Sequence, residues 1–171
     1  MLPGGIGRLL RLATTSAQNR KANPAPQRNS NQKYLDEVGD PETQAVLGLI
    51  DEDLLEIFYD VACGDIKHTN LRLKKQSAVC VVISSEGYPE NPVKGDEIFG
   101  IDRVDGDVMV YHAGTKLENG RYFTNGGRVL NVVAYGDVME EARKRAYENI
   151  SRINFRGMHY RKDIADKALN R

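Results

Sequence analysis

Long apolar runs and cysteine are both scarce in this sequence of 171 residues. No stretch approaches the roughly 18 consecutive apolar residues of a transmembrane helix, so we expect no membrane partner. The two cysteines, Cys63 and Cys80, lie in apolar contexts without a further cysteine or a histidine at metal-ligand spacing. We therefore expect two reduced thiols in the core. Hydrophobic residues make up 40% and charged residues 28%, which is typical of one soluble globular domain.

Acidic residues are absent from the first 32 positions, although the net charge of the whole chain is zero. That segment carries five basic side chains, which leaves 19 basic and 24 acidic side chains, a net charge of −5, in residues 33–171. An acidic domain has no electrostatic reason to bind nucleic acid. We therefore expect no nucleic-acid partner, and the short basic and aromatic stretch at residues 154–164 does not outweigh this charge.

The basic leader has three interpretations. Apolar residues recur at helical spacing among its arginines, at Ile6, Leu9, Leu10 and Ala13, and a Pro, Asn and Gln-rich segment follows. This is the profile of an organellar transit peptide, of a basic disordered tail, or of translated sequence upstream of a truncated frame. In each case we expect residues 1–38 outside the fold and one domain over residues 39–171. We expect a cytoplasmic location, or an organellar one if the leader is a transit peptide.

Helical signals dominate the first part of the domain. Asp40 is a good N-cap, Pro41 suits the first helical position, and Glu42 complements the helix dipole. The pattern predicts a helix from Thr43 to Cys63, with a possible break near residues 48–51 and Gly64 as its end. Its second half places apolar side chains on one face, namely Leu54, Leu55, Phe58, Val61 and Ala62.

Strand signals follow from residue 77. An apolar, β-branched run covers residues 77–85, and two further strand regions cover residues 107–115 and 120–137. Asn119 and Gly120 are typical of a type I′ hairpin turn. Short turns predict an antiparallel sheet, so we expect an α+β fold, mainly antiparallel sheet flanked by helices. Asp137 and Glu140 form a capping-box pattern before the last long helix, whose apolar stripe is Ala142, Ala146, Ile150 and Ile153.

The motif TNGGRVLNV, residues 124–132, is the strongest candidate for chemistry. Gly126 and Gly127 let the backbone turn with positive φ and approach a ligand, and Arg128 can present a bidentate fork to phosphate or carboxylate. A tight hairpin turn accounts for the same residues without a ligand. Residues 84–96 form a shaped loop that could cover a substrate with Tyr88 and Lys94, although we expect Lys94 to be solvated.

The three histidines give no functional signal from spacing. His68, His112 and His159 have no serine, cysteine or carboxylate at distances along the chain that indicate a triad or a metal site. Single histidines are usually packing or surface residues, and we expect no catalytic residue among them.

Several blocks in a fixed order are more specific than any one motif. Together they closely resemble the C-terminal part of the phosphoribosylamine–glycine ligases, over roughly residues 39–169. The blocks are residues 39–44 (GDPETQ), 53–55, 87–89 (GYP), 94–95, 112–115 (HAGT), 124–130 (TNGGRVL), 136–137 and 156–164.

The resemblance implies the barrel-sandwich-like C-terminal domain of an ATP-grasp ligase in purine (IMP) biosynthesis. Such ligases use ATP and Mg²⁺ or Mn²⁺ to join glycine to 5-phosphoribosylamine, which gives glycinamide ribonucleotide. The metal and cationic groups must neutralise phosphate charge while water is kept from an acyl phosphate. By this resemblance Arg128 faces the phosphorylated substrate, and Gly126, Gly127, Asp40 and Glu42 belong to the substrate site.

This chain departs from the family pattern upstream of residue 39. The resemblance places Lys33 and Leu35 where the family has the two metal ligands, and neither side chain ligates Mg²⁺. It also places Glu37 and Val38 where the family has Arg-Phe, and Glu37 would repel a phosphate.

The ATP-grasp signature does not occur before residue 39. We therefore expect a fragment that is inactive alone, binds no cofactor alone, exposes an apolar patch, and has an N-terminal ATP-grasp chain as a partner in trans. The alternative is a non-catalytic module that binds a partner chain or a phosphorylated metabolite.

Overall fold

The computed structural model of the protein describes residues 41–63 and 71–169. Two helices precede the strands, a third and longer helix lies between the last two strands, and a short fourth helix follows. None of the helices in these ranges is long and apolar enough to cross a membrane. In chain order the elements are α1 (Glu42–Leu47), α2 (Leu54–Cys63), β1 (Ser77–Ser84), β2 (Glu97–Ile98), β3 (Met109–His112), β4 (Thr115–Glu118), β5 (Arg121–Thr124), β6 (Arg128–Gly136), α3 (Met139–Ile150), β7 (His159–Tyr160) and α4 (Asp166–Leu169).

The strands form two antiparallel sheets. One has the order β3-β6-β1-β7 and the other the order β2-β5-β4. The longest pairing joins β1 to β6 from Ser77 opposite Gly136 to Ser84 opposite Arg128, with a register irregularity at its last pair. The predicted α+β fold with antiparallel sheet and flanking helices is confirmed. The sheets formed by the described residues are open, so the barrel that the resemblance implied is not closed within this part of the chain.

The Asn119-Gly120 hairpin is also confirmed. Both residues have positive φ, +49° and +78°, as a type I′ turn requires, and they join the paired strands β4 and β5.

The core lies between the four-stranded sheet and α3. On β1 the alternate residues Val79, Val81 and Ile83 are buried, and each pairs with a buried residue on β6. The predicted stripe of α3 is buried as well, with Ala142, Ala146 and Ile150 fully inaccessible to solvent. Burial of each branched side chain contributes about 1.5–3 kcal/mol. The small alanines let helix and sheet backbones approach closely.

The start of α3 differs from the predicted capping box. The carboxylate of Glu141, not that of Glu140, accepts the backbone N–H of Asp137 at 2.8 Å. The helix begins at Met139 with Val138 as its N-cap residue, so Glu141 is the third helical residue, the one that reaches back in a capping box. The prediction placed the cap one residue too early.

The first helical region is broken as expected, with α1 ending at Leu47 and α2 starting at Leu54. Asp40 and Gly64, its predicted cap and end, lie outside the described residues.

The apolar face of α2 is exposed. Leu55 is 77% exposed and Phe58 54%, while Asp60 on the same helix is buried. This agrees with the predicted apolar patch.

The prediction of two core thiols was wrong for Cys63, which is exposed at the end of α2, and Cys80 is half-buried. The helical period identified an apolar face correctly, but it could not show that this face points away from the described core.

Candidate functional site

Three chain segments meet at the Gly-Gly motif. Residues 125–127 connect β5, in the three-stranded sheet, to β6, in the four-stranded sheet. Ser85 approaches this connection from the end of β1, and Gly114 approaches it from the turn between β3 and β4. The hairpin interpretation of this motif was therefore wrong, because the connection crosses between two sheets and does not join paired strands.

Hydrogen bonds fix the connection from both sides. The backbone N–H of Ser85 donates to the carbonyl of Gly127 at 2.9 Å, and its hydroxyl donates to the carbonyl of Gly126 at 3.0 Å. On the other side, the N–H of Gly114 donates to the carbonyl of Arg128 at 2.8 Å, while its own carbonyl accepts the N–H of Asn125 at 2.7 Å. Ser85 is 2% exposed, so these bonds form in a largely dry environment.

Close packing, not positive φ, explains the two glycines. Neither Gly126 nor Gly127 has a φ in the left-handed region, so that part of the prediction was wrong. A Cβ atom on Gly126 would stand 3.0 Å from the Cα of Gly114, and a Cβ on Gly127 would overlap the ring of Tyr88. The predicted close approach therefore occurs, and its partners are a loop backbone and an aromatic ring of the protein itself.

Two donors remain at this connection. The backbone N–H groups of Gly126 and Gly127 make no backbone hydrogen bond within the described ranges. Arg128 follows directly and is half-buried as the first residue of β6. Two adjacent amides followed in the chain by an arginine are suited to an anion, since backbone N–H groups and Arg both favour phosphate or carboxylate oxygens.

A shallow, open cleft of about 660 Å³ lies beside Tyr88. The cleft is lined by Ser85, Glu86, Gly87, Tyr88, Gly157, Met158 and His159.

The 84–96 loop is attached to the end of β5. The N–H of Gly95 donates to the carbonyl of Thr124 at 2.7 Å. The side chain of the preceding residue, Lys94, is exposed, as expected.

His112 is oriented by a hydroxyl that sequence spacing did not reveal. Its Nδ1 lies 3.0 Å from the Oγ1 of Thr115, and its ring lies 4.4 Å from that of Tyr122. Burial lowers the pKa of His112 below its usual value, which favours the neutral imidazole. A turn brings residues 112 and 115 together, so only the HAGT motif as a unit could have indicated the pair. His159 lies on β7 opposite Ser84, and His68 lies outside the described residues.

The basic residues near the C-terminus are paired with acids. Arg156 contacts a carboxylate oxygen of Asp96 at 2.9 Å, and Arg161 forms a two-pronged pair with Asp163 at 2.9 and 2.6 Å. The Arg161 guanidinium holds the pKa of Asp163 below its usual range, and the two acids neutralise part of the basic stretch. Such pairing gives a structural role to residues that could otherwise have indicated RNA binding.

The other predicted site residues are not at this connection. Glu42 is half-buried on α1, and Tyr135 of β6 lies beside this helix, with its hydroxyl 3.5 Å from the carbonyl of Gln44. Tyr135 is seven residues from Arg128 along β6, or about 23 Å at the usual rise of a strand. Asp40 lies outside the described residues, as do Lys33, Leu35 and Glu37.

The described residues do not offer a metal site. Within residues 41–63 and 71–169, no three His, Cys, Asp or Glu side chains cluster in a way that could hold an ion. Mg²⁺ requires oxygen ligands in near-octahedral geometry. The donor set in these ranges therefore does not fit the divalent metal that the resemblance implies, and we derive no chemical step through that metal.

Comparison with known proteins decides the family. The family model described as "Phosphoribosylglycinamide synthetase, C domain" matches residues 78–167, more than half of the chain. The chain belongs to this family. The match includes the whole of β6 and the connection before it, so the turn with Arg128 is part of the family domain.

Similar bacterial proteins are named phosphoribosylamine–glycine ligases. The chain is 48% identical over 127 residues to the phosphoribosylamine–glycine ligase of Caldanaerobacter subterraneus subsp. tengcongensis, which covers 74% of this chain and 30% of that protein. It is 45% identical over 134 residues to the phosphoribosylamine–glycine ligase of Neisseria meningitidis serogroup A. That match covers 78% of this chain and 32% of the Neisseria protein.

A solved structure agrees with these relatives. The crystal structure of the phosphoribosylamine–glycine ligase of Thermotoga maritima matches with a TM-score of 0.62 at 35% identity, over 73% of this chain and 30% of that one. The chain therefore spans about a third of the length of the relatives that it matches.

Proposed function

We propose that this chain acts as the C-terminal domain of a phosphoribosylamine–glycine ligase and contributes to that reaction only together with an ATP-grasp portion. The observation that carries the proposal is the family match over residues 78–167, together with the similarity to complete ligases, which extends over only about 30% of each of them. The complete reaction consumes ATP, requires a divalent metal, and joins glycine to 5-phosphoribosylamine. Within the described ranges no three His, Cys, Asp or Glu side chains cluster, and we assign the ATP and metal sites to the ATP-grasp portion.

We assign the 125–128 connection to the phosphate of 5-phosphoribosylamine. The amides of Gly126 and Gly127 have no backbone acceptor within the described ranges, and Arg128, the next residue, carries the positive charge and the N–H donors that phosphate oxygens favour. Binding the phosphate here would orient the ribosylamine, whose amine must approach the activated glycine carboxyl. The role of the chain is then positioning. The energy of binding the phosphate offsets the entropy cost of bringing the two reactants together, and this lowers the barrier of the reaction.

We assign the exposed face of α2 to contact with the ATP-grasp portion. Large apolar side chains rarely stay exposed side by side on a soluble domain unless another surface covers them. Such a contact would also keep water from the acyl phosphate intermediate. The face consists of Leu55, Phe58, Tyr59 and Val61, which are 77%, 54%, 68% and 54% exposed.

Reconstitution tests this proposal. The purified chain is mixed with ATP, Mg²⁺, glycine and freshly generated phosphoribosylamine, with and without a separately expressed N-terminal portion of a complete homologue. We expect glycinamide ribonucleotide only in the mixture, and less of it with Phe58→Gln or Arg128→Ala. Product from the chain alone would contradict the assignment of the ATP and metal sites to a second portion. No product from either sample would contradict the ligase role itself.

A non-catalytic role is the second candidate, because the anion site and the apolar face do not depend on ligase chemistry. As a stand-alone module, the chain would bind a phosphorylated metabolite or a partner chain and would not restore activity in the mixture. Calorimetry with ribose 5-phosphate, together with the absence of product on reconstitution, would favour this role. The cytoplasmic location and the boundary between residues 38 and 39 remain predictions.

A further inference from the structure

The hydroxyl of Ser85 is a buried polar group beside the proposed phosphate site. Ser85 is 2% exposed, and its Oγ lies 3.0 Å from the carbonyl oxygen of Gly126 and 3.4 Å from that of Gly127. Its backbone N–H donates to Gly127 as well, so this residue directs two donors at two successive carbonyls. One donor would be enough to attach the loop, and the second fixes the rotation of a particular peptide group.

The peptide group between Gly126 and Gly127 is the one that the hydroxyl fixes. A trans peptide places its C=O and its N–H on opposite sides, and this bond is trans. Because the carbonyl of Gly126 points at Ser85, the N–H of Gly127 points away from it. That N–H has no backbone acceptor in the described part of the chain. The ring of Tyr88 against the Cα of Gly127 and the bonds from Gly114 limit the other motions of the connection.

We infer that Ser85 is a positioning residue of the phosphate site: it holds the Gly126–Gly127 peptide so that the Gly127 amide donates to a phosphate oxygen of a sugar phosphate. The inference rests on the proposed function, since it takes the 125–128 connection as the place where the phosphate binds. Ser85 itself does not touch the ligand. Without its hydroxyl the peptide can rotate, and an amide that is not held in place loses part of its contribution to binding.

An adjacent serine provides a matched control. Ser84 is 7% exposed, and its hydroxyl also donates to a backbone carbonyl, but that carbonyl belongs to His159 of β7 at 3.1 Å. Ser84→Ala and Ser85→Ala therefore each remove one buried hydroxyl at the same end of β1. Only Ser85→Ala releases the Gly-Gly peptide.

The test measures binding of ribose 5-phosphate to the full chain by calorimetry, and amide shifts by ¹⁵N-resolved NMR. We expect the amide resonance of Gly127 to shift when the chain is saturated with ligand. We expect Ser85→Ala to bind ribose 5-phosphate about tenfold more weakly, and Ser84→Ala to bind it as the unchanged chain does, within about twofold. Equal affinities for the two variants would overturn the inference. An amide resonance of Gly127 that does not shift on saturation would overturn it too. This second measurement uses the unchanged chain, so it decides the inference even if Ser85→Ala does not fold.

A third variant separates the two proposals. If Arg128→Ala loses binding while Ser85→Ala keeps it, the phosphate site stands and only the role of Ser85 is wrong. If the unchanged chain does not bind ribose 5-phosphate, the phosphate site and the role of Ser85 both fail, whereas the reconstitution experiment still decides the ligase role.

Discussion

The ring of Tyr88 fills the space that a Cβ atom on Gly127 would need. Gly127→Ala must therefore move the ring or the connection, and we expect it to destabilise the protein by about 1–3 kcal/mol, the usual range for overpacking. Urea unfolding followed by circular dichroism gives the change. Gly106→Ala is the control, because a Cβ there meets no atom within 4 Å. Equal midpoints for the two variants would contradict the packing role of Gly127.

The hydroxyl of Tyr135 lies against α1, and burial raises the pKa of Tyr135 to about 12, with Tyr111 and Cys80 as further causes. Between pH 10 and about 12 the unfolded chain loses this proton while the folded chain keeps it, so stability falls as pH rises through this window. We expect Tyr135→Phe to have a shallower loss of stability there. Tyrosinate absorbance during titration should also lose a late component in this variant, and an unchanged titration curve would count against the assignment.

The antiparallel sheet, the hairpin at Asn119 and the buried stripe of α3 were predictable because they depend on neighbours in the sequence. Turn chemistry, β-branched runs and helical periodicity are local properties. The site was only partly predictable. The importance of Arg128 and its glycines was visible in the motif, but the contacts from Ser85 and Gly114 join residues 41 and 12 positions away from Gly126. Long-range contacts of this kind leave no periodic signal in a single sequence.

Two apolar residues, Phe58 on α2 and Ile150 on α3, should differ in how much their substitution destabilises the protein, because only Ile150 is buried. Phe58 is 54% exposed, so we expect Phe58→Gln to change the free energy of unfolding by no more than about 0.5 kcal/mol and to reduce self-association. Ile150 is fully buried on α3, and Ile150→Ala should cost about 2–5 kcal/mol. Urea unfolding and light scattering measure both effects. A large loss of stability for Phe58→Gln would show that this face is packed in solution.

Asn149 supports a turn from inside the core. It is 1% exposed, its side-chain oxygen accepts the N–H of Asp105 at 2.8 Å, and its amide donates to the carboxylate of Asp105 at 3.1 Å. We expect Asn149→Ala to cost about 2 kcal/mol, because it removes both hydrogen bonds between a buried side chain and Asp105. Ser151→Ala, at an exposed position, should stay within about 0.5 kcal/mol. Thermal unfolding of the two variants makes the comparison, and similar transitions would argue against the role of Asn149.

Residues 125–127 leave one sheet and enter the other, so they belong to the hydrogen-bond ladder of neither. A ligand that holds this connection therefore restrains β5 and β6 at the same time. Amide hydrogen exchange should slow in both sheets when a sugar phosphate binds, including at strand positions far from the ligand. Binding of one small anion would in this way stabilise the position of the two sheets relative to each other. Local openings that separate the sheets would then become rarer.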